Sequence, residues 1–260
     1  MNLHAFSINF EEHADIAKFN FYFNNTPIKS FFCGISGINA GDMNYDFPDT
    51  NPNRLAVFKS LNISSKNIFS FKQIHSRDVV LITQDYVAAL KEADGSVTQR
   101  EDCCLAVTVA DCLPVYLLDK ANNAIAVLHS GWKGTGIVHN ALDIMKTSFN
   151  TKPENVSAVL GPCIKSCCYE VSEDRAAVFT GEFGKDYNSP EQYPLGSVVR
   201  SKFGRYYIDM QAANAHILAK DGVLNIAYCT NCTYDDHRLG SYRREGALNY
   251  TKMIAIAGRS

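Results

Sequence analysis

The sequence predicts an α/β fold: a single-domain layered α/β sandwich on a mixed sheet. Three observations carry this expectation. Apolar runs of strand length alternate with segments of helical period; two neighbouring runs, PVYLLD and AIAVLHS, are separated only by the turn residues KANN; and no repeat, low-complexity tract or Pro/Gly-rich linker interrupts the 260 residues. The alternation calls for helices packed on a sheet, and the short turn calls for antiparallel neighbours within it. The missing linker leaves residues 1–260 as one domain.

In chain order, SFFCGIS (30–36), IFSFKQIH (68–75), DVVLITQ (78–84), LAVTVADC (105–112), PVYLLD (114–119) and AIAVLHS (124–130) read as strands. A helix follows over 137–150, because Ile137, Ala141, Met145 and Phe149 recur every four residues and share one face. VSAVLGPCI (156–164) reads as a strand, and SEDRAAVF (172–179) as a helix with Ser172 as N-cap. The segment from Gly181 to Tyr206 reads as a long irregular excursion. A last helix runs from Asp209 to a stop at Gly222, before strands LNIAYCT (224–230) and TKMIAIAG (251–258).

Bulk properties narrow the function. With 46% apolar and 20% charged residues the chain has an ordinary globular composition, and it is long enough to bury a large core. A net charge of −2 argues against nucleic-acid binding. No apolar stretch is long enough to span a bilayer, and the opening MNLHAFSINF lacks a basic segment followed by an apolar run. A cytoplasmic protein with small-molecule partners is expected, as a monomer or weak homo-oligomer. Nine cysteines, an odd number spread over a long chain, read as thiols or metal ligands rather than a disulfide framework.

Three polar residues fall at strand ends: His75 in KQIHSRD, Cys112 at a proline break in TVADCLPV, and His129 in AVLHSGW. Separations of 37 and 17 residues exclude a finger motif, but sheet neighbours can bring such positions together. Two imidazoles and a thiolate suit a zinc ion with one open position, which would activate water, with Asp111 placed to orient a ligand or move a proton. The competing reading is two satisfied histidines and a buried thiol. The same set also admits one copper ion, with Met43, Met145, Met210 or Met253 as axial ligand. CTNC (Cys229, Cys232) has the spacing of half a structural zinc site, which Cys163, Cys167 and Cys168 could complete, although buried thiols are the simpler reading. The glycines of GWKGTG let the chain turn sharply after His129, and the helix beginning near Ile137 would aim its free amides at the site, a favourable place for phosphate.

KQIHSRDVV, ADCLPVYLLD, AVLHSGWKGTG, LGPCIKSCCYEV, DMQAANAHIL and CT followed by SYRREG occur in the order found in the YfiH-like laccase-domain family, and CGISGIN with NPNR resembles the opening of that family. The resemblance runs from about residue 30 to the end. It implies a single α/β sandwich-like domain with a zinc site at His75, Cys112 and His129. It also implies phosphorolysis of purine nucleosides, with adenosine deaminase and methylthioadenosine phosphorylase activities. Alternatives attached to the family are a copper-containing polyphenol oxidase and a cysteine or metal hydrolase that edits peptidoglycan precursors. Arg54 is expected to hold phosphate, with Gln73, Lys133, Ser241 and Arg243 as further substrate contacts, and Cys112, Asp111, His75 and His129 as the catalytic set. The chain departs from the family at Lys133, and at Tyr250, Thr251 and Lys252, where the family carries W-R-G and T-G-R; lysine keeps a charge but loses the bidentate fork.

Overall fold

The computed structural model describes residues 1–10, 15–63, 67–87, 89, 91–184 and 195–260. Two large mixed sheets lie face to face. The first runs β1 (Asn2–Phe6), β14 (Asn225–Cys229), β10 (Val156–Leu160), β8 (Leu113–Asp119), β9 (Ala124–Ser130), β6 (Gly95–Thr98) and β5 (Val79–Ile82), in that spatial order. The second runs β2 (Ile16–Phe23), β3 (Thr26–Ser36), β15 (Met253–Arg259), β7 (Cys104–Val109) and β4 (Ile68–Phe69). The expected hairpin is present: β8 and β9 pair antiparallel, with Leu113 opposite Ser130 and Asp119 opposite Ala124.

Period-two alternation explains the layering. Leu113, Val115 and Leu117 of β8, with Ala124, Ala126 and Leu128 of β9, pack beneath helices α2 (Ile137–Phe149), α3 (Glu173–Phe183) and α4 (Met210–Lys220). The intervening Tyr116, Leu118, Ile125 and Val127 face the second sheet and meet Phe19, Ile35, Leu105, Val107 and Ala255. On that sheet's outer side Ile254 and Ile256 pack with Val57 and Phe58 of α1 (Pro52–Ser60). Strands buried on both faces become continuous apolar runs, which is why they stand out in the sequence. The Tyr116 hydroxyl donates to the Gly34 carbonyl at 2.8 Å and ties the sheets together.

Several elements depart from expectation. IFSFKQIH is strand only at Ile68–Phe69, because the chain then leaves the sheet as a loop whose polar groups are bonded elsewhere. Pro114 lies inside β8 opposite His129; the chain changes sheets at residues 110–112, where Asp111 takes φ +80°. The excursion after Gly181 is partly regular: α3 continues to Phe183, and β12 (Val199–Lys202) and β13 (Arg205–Ile208) form a hairpin beside β11 (Glu170–Val171). Its residues 185–194 lie outside the described residues. Helix α1 has a readable start, with Asn51 accepting from the Asn53 amide at 2.9 Å and Pro52 in the first turn.

Candidate metal centre

His129 ends β9, Cys112 opens the corner into β8, and His75 lies in the loop between β4 and β5 at φ +60°. The layered sheets bring the three together. One ligand atom from each lies within 4.8 Å of the others, and the two imidazole centroids are 4.9 Å apart with planes at 78°. All three line a cavity of about 650 Å³. Gly131 keeps the approach close: a Cβ there would stand 3.1 Å from both Cys112 Sγ and His75 Cδ2.

Asp94, fully buried just before β6, organises the cluster. Its Oδ1 lies 2.7 Å from His129 Nδ1 and accepts the His75 amide at 3.0 Å, while Oδ2 accepts the Ile74 and Ser76 amides and the Ser76 hydroxyl. An Nδ1–H held on a carboxylate leaves Nε2 of His129 for an ion, the arrangement that orients metal-ligating histidines. Burial alone would push the Asp94 carboxyl up; His129 and Ser76 outweigh it and hold the carboxyl below its usual range. Burial likewise works against charge on Cys112, but His129 and His75 bring its thiol down to about 6. His129 is carried up to about 9, with Cys112 and Asp94 overcoming burial. At neutral pH the metal-free site therefore sets a Cys112 thiolate against a protonated, oriented His129, and an ion binding there would displace the His129 Nε2 proton. The three residues fit a zinc or copper ion with a position open to the cavity.

The other expected contacts divide. Gln73, Asp111 and Arg243 line the cavity. Gln73 holds the backbone of Thr108, donating to its carbonyl at 2.8 Å and accepting from its amide at 2.7 Å. Asp111 accepts from the Thr233 hydroxyl at 2.6 Å and the Arg243 amide at 2.7 Å, which occupies both carboxylate oxygens. Arg54 lies away from the cavity lining and is fully buried, paired with Asp49 at 2.7 Å and donating to Ser70 Oγ at 2.7 Å. Ser241 caps the short helix α5 (Tyr242–Glu245), and Lys133 points outside the cavity lining with Nζ over the Trp132 ring. The start of α2 is also turned away: no residue from 133 to 140 lines the cavity, and Arg77 covers Gly136, which sits at φ +102°. Of the four candidate axial methionines only Met210 lines the cavity.

Sequence reasoning missed Asp94, Tyr169 and Arg175, and marked Lys252, which lines the cavity, only as a departure from the family pattern. Asp94 sits in an unremarkable polar stretch, and its partners lie 18 to 35 residues away. Arg175 stacks on Trp132 at 4.4 Å, and Arg243 lies over Tyr169 at 5.3 Å, so two guanidinium groups border the cavity.

Fold and site together define a class: a mixed α/β protein of two packed sheets, with a His-Cys-His centre suited to a metal at the wall of an open cavity. The chain belongs to the family described as multi-copper polyphenol oxidoreductase laccase, whose sequence model matches residues 33–259. It is 33% identical over 186 residues to a purine nucleoside phosphorylase of Clostridium acetobutylicum, covering 70% of this chain and 72% of that relative. It is 31% identical to the purine nucleoside phosphorylase YfiH of Escherichia coli, covering 80% and 81% respectively. Among solved structures, YlmD of Geobacillus stearothermophilus superposes with a TM-score of 0.79 at 23% identity, covering 97% of this chain and 99% of that one. YfiH of Bacillus licheniformis gives 0.75 at 24% identity, covering 88% and 93%. No helix among the described residues is long and apolar enough to cross a membrane.

Proposed function

We propose that this chain is a zinc-dependent purine nucleoside phosphorylase that also deaminates adenosine and cleaves methylthioadenosine. One observation carries the reading: His75, Cys112 and His129 converge at a cavity of about 650 Å³, a volume suited to a nucleoside with phosphate. The names of the relatives support the substrate class. A zinc ion held by the three residues would supply Lewis acidity and an open coordination position.

The chain's own groups then do the following. Asp94 fixes the tautomer and orientation of His129. Arg243, with Arg175 also on the cavity lining, draws phosphate in, the part first expected of Arg54; Asp111 is a positioning residue that holds the Arg243 backbone. A phosphate oxygen bonds to ribose C1′ as the C1′–N9 bond breaks, the bonding pair leaves with the purine, and a proton on the base neutralises it. Tyr169 is the proposed hydrogen-bond donor to the base: burial, then the Cys112 charge, push its phenol up to about 12, so it keeps its proton at neutral pH. All nine cysteines are unpaired, which suits a cytoplasmic enzyme.

A second reading has its own observation. Cys112, His129 and Asp94 form a thiolate–imidazole–carboxylate series, which favours a cysteine hydrolase of the kind that edits cell-wall precursors. Incubation with adenosine and inosine, with and without phosphate, separates the two. The phosphorylase releases free base and ribose 1-phosphate only with phosphate, and Cys112→Ala and His75→Ala abolish it. Metal analysis of protein purified without added metal distinguishes zinc from copper. Hydrolytic activity that survives chelation would favour the second reading.

A further inference from the structure

A second group of soft ligands lies outside the cavity lining. Cys167, Cys168, Cys232 and Asp235 each offer one ligand atom, and these atoms lie within 4.8 Å of one another. Cys168 Sγ is 3.3 Å from Cys167 Sγ and 3.3 Å from Asp235 Oδ1, and Cys167 Sγ is 3.6 Å from Asp235 Oδ2. Cys232 Sγ accepts the Lys165 amide at 3.5 Å, a contact that stabilises a thiolate. For tetrahedral zinc with Zn–S near ~2.3 Å, neighbouring sulfurs stand ~3.8 Å apart, so the Cys167 and Cys168 sulfurs need only a small separation to admit an ion, and the whole set lies within 4.8 Å.

Nearby cations are committed elsewhere. Lys165 Nζ donates to Gln211 Oε1 and the Cys229 carbonyl, both at 2.7 Å, and Arg244 Nη1 donates to the Thr233 and Tyr234 carbonyls. Four acidic ligands facing one another with no side-chain cation among them are the setting in which a metal supplies the missing charge. Cys232 is buried while Cys167 and Asp235 are exposed, so the cluster is anchored on the core and open to an ion from solvent. The four are two local pairs, Cys167 with Cys168 and Cys232 with Asp235, brought together by the fold; of the other cysteines grouped with them in the sequence, Cys229 lies by Asn231 and Cys163 is buried.

We propose that Cys167, Cys168, Cys232 and Asp235 form a second, structural site for a thiophilic divalent ion of the zinc class. Three thiolates select a borderline-soft metal, and the carboxylate closes a four-coordinate shell with no position left for substrate. The ion clips two loops already joined by an isolated parallel β-bridge of the backbone at Cys163 and Cys232 and by the Thr233 amide donating to the Cys163 carbonyl at 3.1 Å. Cys168 precedes Tyr169 of the cavity lining, and Cys232 precedes Thr233, which holds Asp111. The clip therefore braces one wall of the cavity without touching what binds there.

The test uses cobalt as a spectroscopic stand-in, on the full chain under reducing conditions, with Cys112→Ala removing the sulfur of the cavity site. The expected result is one tightly held cobalt per Cys112→Ala chain, with a thiolate-to-cobalt charge-transfer band and tetrahedral ligand-field bands. Adding Cys167→Ser and Cys232→Ser removes both ion and bands. The exposed Cys167→Ser change alone weakens cobalt binding at least tenfold, which keeps the test valid if the multiple variant unfolds. The proposal is overturned if folded Cys112→Ala protein holds no stoichiometric cobalt, if the bands survive loss of Cys167 and Cys232, or if thiol titration of protein as purified finds two of the cluster's cysteines joined in a disulfide. Activity is not the readout, so failure here is separate from failure of the phosphorylase reading.

Discussion

Asp94 accepts five hydrogen bonds from inside the protein, and its effect reaches both histidines: one through a ring nitrogen, the other through a backbone amide. Asp94→Asn keeps the shape and loses the charge. It is expected to weaken metal binding at the cavity by about 10–100-fold, measured by competition with a chelating dye; unchanged affinity would deny Asp94 its positioning role. Cys112 gives a pH prediction. In metal-free protein its thiolate should form with a midpoint near 6, followed by the rate of iodoacetamide labelling at Cys112. His129→Ala removes the largest charge lowering that pKa, so the midpoint should rise to about 8.5, the range of a free cysteine, or above it. Arg54 makes the contrasting case. Arg54→Met strands the partly buried Asp49 carboxylate and should cost about 3 kcal/mol in urea unfolding. In the protein that remains folded the KM for phosphate should be unchanged, whereas Arg243→Ala should raise it.

At the scale of elements, the corner between β7 and β8 and the end of β9 matter most, because they place Cys112 and His129 on opposing strands of one hairpin edge. Local rules made this pair legible: PVYLLD, KANN and AIAVLHS specify a two-stranded unit without help from the rest of the chain. His75 was legible as a candidate but not as part of a loop, since IFSFKQIH looks like a continuous strand until Asp94 is seen bonding three successive amides of that loop. Arg54 was expected at the phosphate from the resemblance alone; nothing in NPNR shows that the helix begun at Pro52 buries the arginine. Tight joints between elements offer a stability test. A Cβ on Gly240 would stand 1.9 Å from the Thr251 carbonyl oxygen, a backbone atom that cannot swing aside. Gly240→Ala should therefore destabilise by about 3 kcal/mol or more, while Tyr116→Phe, which removes one bond between the sheets, should cost about 1 kcal/mol. Equal losses for the two would contradict this ranking.

For the molecule as a whole, the four layers of helices, sheet, sheet and helix supply rigidity, and the cavity lies where loops of both sheets meet. The layers were readable from alternation; His75, Cys112 and His129 were readable as candidates from their strand-end positions and as one set from motifs shared with a family, whereas Asp94 was not, since no local rule links position 94 to the other three. Rigid strands hold a preorganised ligand set, so metal should leave and return without unfolding the chain. The measurement that bears most directly on the central claim is phosphate-dependent release of hypoxanthine from inosine, by protein stripped of metal and then returned to zinc-buffered solution. The account predicts loss of base release on stripping and recovery with zinc in the wild type, with no recovery in His129→Ala. Undiminished release by fully stripped protein would contradict it.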